Sequence, residues 1–118
     1  MAEMLIVIER TLGPGRHIRD VGLLQGAVAR PQAAMMGVEA YPDVHVKAAA
    51  LLDSLVNSRP LIDGNKRVGL VATLMFLGLN GFGVVVSDDV LVEDVLRVAA
   101  GREDVHDLAK MLSRWTAP

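Results

Sequence analysis

The fold of this chain is decided by one apolar stretch, VGLVATLMFLGL, which occupies residues 68–79. Apolar residues fall on every side of a helix built from it, and a helix without a polar face is surrounded by its neighbours. The stretch has 12 residues, well short of the roughly 20 that span a bilayer. We therefore predict a buried central helix here. The segment before it should then be held rigidly at the surface, at the entrance to the domain.

The flanking segments also carry helical patterns. A helix of about 15 residues is predicted from a stripe of apolar residues at helical spacing: Val44, Ala48, Leu51 and Leu55. Ser87 precedes two aspartates and is the expected N-cap of a helix that ends at Gly101. A last helix should end near Trp115. Together these patterns predict an all-α fold, a compact bundle of five or six helices around a buried central helix.

Two segments are ambiguous from sequence. Residues 4–8 have strand-like residue types, yet the residues after them also suit the end of a short helix. Residues 82–86 fit a brief extended piece.

Composition limits the class of protein. With 118 residues the chain has room for one domain, residues 1–118, and its 52% hydrophobic content includes only four aromatic residues. Twelve basic and 14 acidic residues argue against nucleic-acid binding by bulk electrostatics. The chain has no cysteine and no recognisable signal peptide. We expect a soluble, cytoplasmic protein that contacts neither membrane nor nucleic acid.

The residues immediately before the apolar stretch suggest a binding site. The segment is RPLIDGNKR, residues 59–67. Asp63 is predicted to cap the central helix, so that the N–H groups of Gly64, Asn65 and Lys66 point outward at the positive end of the helix dipole. Gly64 is expected to let a ligand approach the backbone closely.

Positive charges surround the same helix end. Lys66 and Arg67 are adjacent there, and Pro60 should hold Arg59 extended with its side chain towards the same mouth. The segment therefore predicts a phosphate or carboxylate site, in which Asp63 either caps the helix or holds Mg²⁺ against phosphate oxygens. A purely structural cap with solvated cations is the alternative.

Residues 63–67, DGNKR, resemble the second half of the Fic/Doc superfamily signature, which runs His-x-Phe-x-Asp/Asn-Ala/Gly-Asn-Lys-Arg. Lys66 stands where many members have a second glycine, as in the death-on-curing (Doc) toxins. The resemblance continues along nearly the whole chain, through residues 18–24, 27–32, 41–42, 47–52, 77–81 and 99–101. It implies an all-helical toxin of a bacterial toxin–antitoxin pair, with a Phd-like antitoxin as partner.

The resemblance also implies an activity. A Doc toxin transfers the γ-phosphate of a nucleoside triphosphate, here ATP with Mg²⁺, to a hydroxyl of a protein such as translation elongation factor Tu, and growth stops. Lys66 favours this phosphorylation over transfer of AMP. The implied catalytic residues are Asp63, Lys66 and Arg67, with Asp63 as the metal ligand. The implied phosphate-binding residues are Gly64, Asn65, Lys66 and Arg67.

Two positions depart from the signature. Arg59 stands where the family has its catalytic histidine, and Leu61 replaces the phenylalanine. A guanidinium stays protonated at physiological pH, so Arg59 cannot act as a general base, although it can bind phosphate. Three explanations are possible for Arg59. It is a detoxifying substitution, or the chain is a natural inactive homologue. In the third, arginine is tolerated because phosphoryl transfer needs mainly positioning and charge neutralisation. We favour the first two: an inactive enzyme, or a non-catalytic module that binds an antitoxin or nucleotide.

Other polar and flexible residues carry weaker signals. The scattered histidines His17, His45 and His106 show no metal-ligand spacing and are expected at the surface or at helix edges. The dipeptide Arg19-Asp20 fits a loop salt bridge or an N-cap by Asp20. The methionines at 35 and 36 are predicted to serve as flexible packing. An antitoxin groove is expected near residues 4–32.

Overall fold

The computed structural model describes all 118 residues and contains six α-helices. They are α1 Ala2–Leu12, α2 Val21–Ala29, α3 Val44–Asn57, α4 Asn65–Leu79, α5 Asp88–Ala99 and α6 Val105–Trp115. The β structure comprises two small antiparallel sheets, β1 Ala34–Met35 with β2 Val38–Glu39, and β3 Gly83–Val84 with β4 Thr116–Ala117. The predicted all-α bundle is confirmed. None of the helices is both long and apolar enough to cross a membrane.

The buried central helix is α3. Its buried residues include an unbroken run from Lys47 to Leu52, and six consecutive residues cannot share one face of a helix. By contrast, α4 buries only part of its circumference, because Met75 is 50% exposed and Leu79 is 87% exposed. The prediction of a central helix is thus confirmed, but its placement at residues 68–79 is wrong. Apolar composition alone does not distinguish a core face from an exposed apolar face.

Two hydrophobic clusters pack against different faces of α3. One joins α1, α2 and α4 around Leu24, Leu55 and Val68. The other joins α5 and α6 around Trp115, whose indole N–H donates to the Asp94 carboxylate at 2.8 Å. The ambiguous residues 4–8 lie within α1 and are therefore helical, and residues 82–86 include the short strand β3.

Most helix ends follow the sequence signals. The Ser87 hydroxyl caps α5, Gly101 follows α5 with φ of 71°, and α6 ends at Trp115, all as predicted. Asp20 caps α2, as one of the two alternatives proposed for it. Asp104 caps α6, and the hydrogen bond from the backbone N–H of Asp107 lowers the pKa of the Asp104 carboxyl.

A polar network attaches the segment after α2 to α3. Arg30 donates to the Asp53 carboxylate at 2.7 Å and to the Tyr41 hydroxyl at 3.1 Å. Burial works against the charged guanidinium, but the hydrogen bonds with Asp53 and Tyr41 outweigh it and raise the pKa of Arg30. The buried Lys47 donates to the Pro31 carbonyl at 3.0 Å and forms an ion pair with Glu39 of β2. The β1–β2 hairpin is thereby fixed to the bundle at its base.

The tip of that hairpin is exposed. Met35 is 78% exposed and Met36 is 98% exposed, with φ of 52° at Met36 in the turn. The prediction that these methionines serve as packing is therefore wrong, because the turn carries them away from the core.

The close contact of α3 with α4 positions the motif. A Cβ atom added to Gly69 would lie 2.9 Å from a methyl group of Val56, so glycine lets the two helices approach. Since the motif is the connection between these helices, its two ends are anchored on a rigid pair.

Candidate functional site

The loop between α3 and α4 is fastened by the segment that precedes α2. The backbone N–H groups of Arg19 and Asp20 both donate to the Pro60 carbonyl, at 2.8 and 3.0 Å. The N–H of Ile62 donates to the His17 carbonyl at 2.8 Å. Backbone hydrogen bonds thus tie the motif to a segment about forty residues earlier.

The Arg19 side chain reinforces this attachment. Its Nε donates to the Arg59 carbonyl at 2.8 Å, and its Nη2 donates to the Ser58 carbonyl at 3.2 Å. These carbonyls follow the last turn of α3 and lack helical partners, so charged donors stabilise them. Arg19 therefore makes backbone contacts in place of the salt bridge considered from sequence. That role depends on tertiary structure, and no local pattern indicated it.

Arg59 adopts a backbone conformation that few side chains favour. Its φ is 55°, in the left-handed region, so the prediction that Pro60 holds it extended is wrong. Such a conformation costs on the order of 1–3 kcal/mol and persists where surrounding contacts impose it, here those from Arg19. Histidine is several-fold enriched among the non-glycine residues with positive φ. The backbone at position 59 therefore suits the histidine of the signature.

The start of α4 differs from the prediction at Asp63. Gly64, with φ of 81°, is the N-cap residue, and the helix begins at Asn65. The Asp63 carboxylate accepts only the N–H of Gly64, through Oδ1 at 2.8 Å. Asp63 is therefore not the helix cap, because the left-handed turn at Gly64 separates its side chain from the first turn. Its second carboxylate oxygen accepts no hydrogen bond from the protein.

Gly64 is required by the protein itself. A Cβ atom at this position would lie 2.6 Å from Cδ2 of Leu12 on α1. The sequence predicted that this glycine allows a ligand to approach the backbone closely. The structure gives two other reasons for it, the positive φ and the contact with Leu12.

Replacing Gly64 with alanine is expected to lower the free energy of unfolding by about 1–2 kcal/mol, because the left-handed conformation penalises a Cβ atom. Urea denaturation measures the difference. Gly78→Ala is the matched control, since Gly78 lies in α4 with no atom near its missing Cβ. That change should raise stability by about 0.5–1 kcal/mol. Equal stability of Gly64→Ala and the unmodified protein would contradict the strain assigned to this turn.

Asn65 braces the loop with its side chain. Its Nδ2 donates to the Leu61 carbonyl at 3.1 Å, and its Oδ1 accepts the Leu61 N–H at 2.9 Å. What Asn65 can offer a ligand is therefore its backbone N–H. The N–H groups of Asn65, Lys66 and Arg67 have no acceptor in the protein, and they lie at the positive end of the α4 dipole.

These residues line one cleft of about 860 Å³. All six residues assigned to the site from sequence are brought together there: Arg59, Asp63, Gly64, Asn65, Lys66 and Arg67. Arg19 joins them, so the cleft has four cationic side chains and one carboxylate. An anion fits this arrangement better than a cation does.

The donor set limits how a metal could bind. Asp63 is the one carboxylate in the cleft, and nowhere does the structure gather three or more histidine, aspartate or glutamate side chains at metal-binding distance. Magnesium commonly binds through one or two carboxylates together with substrate phosphates. The residues therefore fit a magnesium ion that arrives with a phosphate ligand, with Asp63 as its protein ligand.

The three histidines lie outside the cleft. His45 contacts the Thr116 hydroxyl at 2.9 Å and meets the Phe82 ring edge-on, and His17 contacts the Gly13 carbonyl at 2.8 Å. The cleft thus contains no imidazole that could replace the missing histidine at position 59.

The family model for the Fic/DOC family matches residues 2–77, from α1 through the motif to most of α4. The chain belongs to the Fic/DOC family. It is also similar to Toxin Doc of Mycolicibacterium smegmatis, with 45% identity over 102 residues that cover 85% of this chain and 78% of that protein. Every residue of the cleft except Ala99 lies within the part matched by the Fic/DOC family model.

Proposed function

We propose that the cleft binds ATP with Mg²⁺ and that the protein is a Doc-type phosphotransferase whose chemistry is blocked by Arg59. The observation that carries this proposal is the set of unpaired N–H groups at the start of α4, flanked by Lys66 and Arg67 in one cleft. Oriented N–H groups and adjacent cations are the arrangement that recurs in phosphate sites at helix N-termini.

Each motif residue then has a role. The backbone N–H groups of Asn65, Lys66 and Arg67 bind phosphate oxygens, and the Lys66 and Arg67 side chains balance their charge. The Asp63 carboxylate oxygen that accepts no hydrogen bond would hold a magnesium ion that arrives with the nucleotide. When bound, the ion would supply positive charge against the phosphates, as metal ions do in phosphoryl transfer.

The transfer itself requires a proton acceptor. The hydroxyl oxygen of the protein substrate, such as translation elongation factor Tu, forms a bond to the γ-phosphorus while the bond to the β-phosphate oxygen breaks, and ADP leaves. The hydroxyl proton must pass to a base at position 59. A guanidinium cannot act as this base, so with arginine at position 59 phosphate transfer is strongly slowed.

Binding of ATP tests the placement of the nucleotide. Arg67→Ala is expected to weaken binding of ATP with Mg²⁺ by about 1.5–3 kcal/mol, the scale of a charge-assisted hydrogen bond. Isothermal titration calorimetry measures the change. Arg114→Ala is the matched control, because Arg114 lies at the end of α6 outside the cleft. If the double variant Asp63→Ala/Arg67→Ala binds ATP as the unmodified protein does, the nucleotide lies elsewhere.

A second candidate function is that of a non-catalytic module that binds a Phd-like antitoxin. An apolar groove of about 190 Å³ between α1 and α4 supports it. Its apolar lining includes Met4, Val7, Pro31, Met75, Phe76 and Leu79. Apolar grooves of this kind accept the apolar face of an amphipathic helix, which a disordered antitoxin segment forms on binding. The groove shares no lining residue with the cleft, so both functions are compatible in one molecule.

A further inference from the structure

Two of the four cationic side chains in the cleft, Arg19 and Arg59, have no part in phosphate binding in the phosphotransferase proposal. Arg59, Lys66 and Arg67 form no ion pair with any carboxylate of the protein. Arg19 contacts backbone carbonyl oxygens, which carry no formal charge to offset that of its guanidinium. Asp63 alone opposes these four cations.

The strained conformation of Arg59 has a functional consequence. A residue in the left-handed region persists only where its surroundings impose that conformation, and such residues cluster at ligand sites. Here the contacts of Arg19 with the carbonyl oxygens of Ser58 and Arg59 hold the backbone, while the Arg59 side chain is left exposed in the cleft. Its guanidinium is therefore presented to a ligand without a competing partner.

A guanidinium at position 59 can supply positive charge to phosphate oxygens, as a metal ion does. Its planar set of donors matches two oxygens of a phosphate group, and its charge is permanent. We propose that Arg59 can supply the positive charge that Mg²⁺ otherwise brings, so that this cleft binds the triphosphate of a nucleotide with or without a divalent cation. The inference rests on the nucleotide site proposed above.

The effect of Asp63 on ATP binding provides a second test of metal-free binding. With magnesium bound, its free carboxylate oxygen is a metal ligand. Without magnesium, the same negative charge faces the phosphates and repels them. Asp63→Asn should therefore strengthen ATP binding when metal is absent and weaken it when magnesium is present.

The experiment measures ATP binding by isothermal titration calorimetry in EDTA and in excess Mg²⁺. The unmodified protein should bind ATP in EDTA within about threefold of its affinity in magnesium. Arg59→Gln should lose about tenfold or more in EDTA, the loss of one charge-assisted hydrogen bond, and recover most of it in magnesium. Arg59→Lys, which keeps the charge, should retain most of the metal-free binding. Arg114→Gln is the control outside the cleft, and thermal unfolding verifies the fold of each variant.

The outcomes separate this inference from the proposed function. Binding by the unmodified protein that requires magnesium, or equal binding by Arg59→Gln in EDTA, overturns the role of Arg59 but leaves the nucleotide site in place. Weaker metal-free binding by Asp63→Asn also overturns it. Absence of ATP binding in both conditions overturns the inference together with the proposed nucleotide site.

Discussion

Replacing Arg59 with histidine is expected to produce an active phosphotransferase that arrests growth when it is expressed. The change supplies the one group that the cleft lacks, a side chain that can accept the proton of the attacking hydroxyl. General base catalysis contributes about 10²–10⁴-fold to such reactions, so the rate of phosphate transfer should rise by that order. Growth after induction and transfer of labelled γ-phosphate to purified elongation factor Tu are the two measurements.

The backbone favours this substitution. Position 59 already has a φ of 55°, and histidine tolerates the left-handed region better than most residues. The contacts from Arg19 go to backbone carbonyls and are therefore independent of the side chain at position 59. Arg59→His should consequently fold as the unmodified protein does.

Arg59→Gln is the matched control, since it removes the charge without adding a base and should remain harmless. A folded Arg59→His protein that binds ATP yet causes no growth arrest and transfers no phosphate would defeat the proposal of a blocked enzyme. The antitoxin-binding module would then be the better account of the protein.

The sequence predicted the helices well because the signals involved are local. Ser87, Gly101 and the apolar stripe of α3 each act within a few residues of their own position. Such local signals do not show which helix lies at the centre of the bundle. The residues of α4 are apolar on several sides, but one of those sides lines the groove rather than the core.

In the candidate site, too, the local features could be predicted from sequence and those set by tertiary contacts could not. Residues 59–67 are contiguous, so their meeting in one cleft follows from the motif itself. The conformation of Arg59 does not, because the following proline disfavours only the right-handed helical region and leaves the choice of the others open. Contacts from Arg19, forty positions away, settle that choice. Likewise, Gly64 packs against Leu12 of α1 with no room for a Cβ atom, and the left-handed turn at Gly64 removes Asp63 from the cap position.

Placing negative charge in the groove between α1 and α4 is expected to abolish antitoxin binding. The double variant Met75→Glu/Leu79→Glu changes two groove residues one helical turn apart, both exposed enough to tolerate the change without loss of fold. In the unmodified protein, the Met75 and Leu79 side chains would each bury apolar surface against an antitoxin helix. Such burial contributes about 1.5–3 kcal/mol of binding free energy per side chain. The affinity for the cognate antitoxin, measured by calorimetry after pull-down, should fall by about a hundredfold or more.

The matched control is Val92→Glu/Leu96→Glu on α5, a pair with the same spacing and similar exposure that lies outside the groove. It should leave the affinity for the antitoxin unchanged. Arg59→His should also bind the antitoxin normally, because position 59 belongs to the nucleotide cleft and the two sites share no residue. An antitoxin that binds only the Arg59→His form, or binds equally well to Met75→Glu/Leu79→Glu, would show that it engages the cleft or another surface. In that case the exposed apolar stripe of α4 would need a different partner.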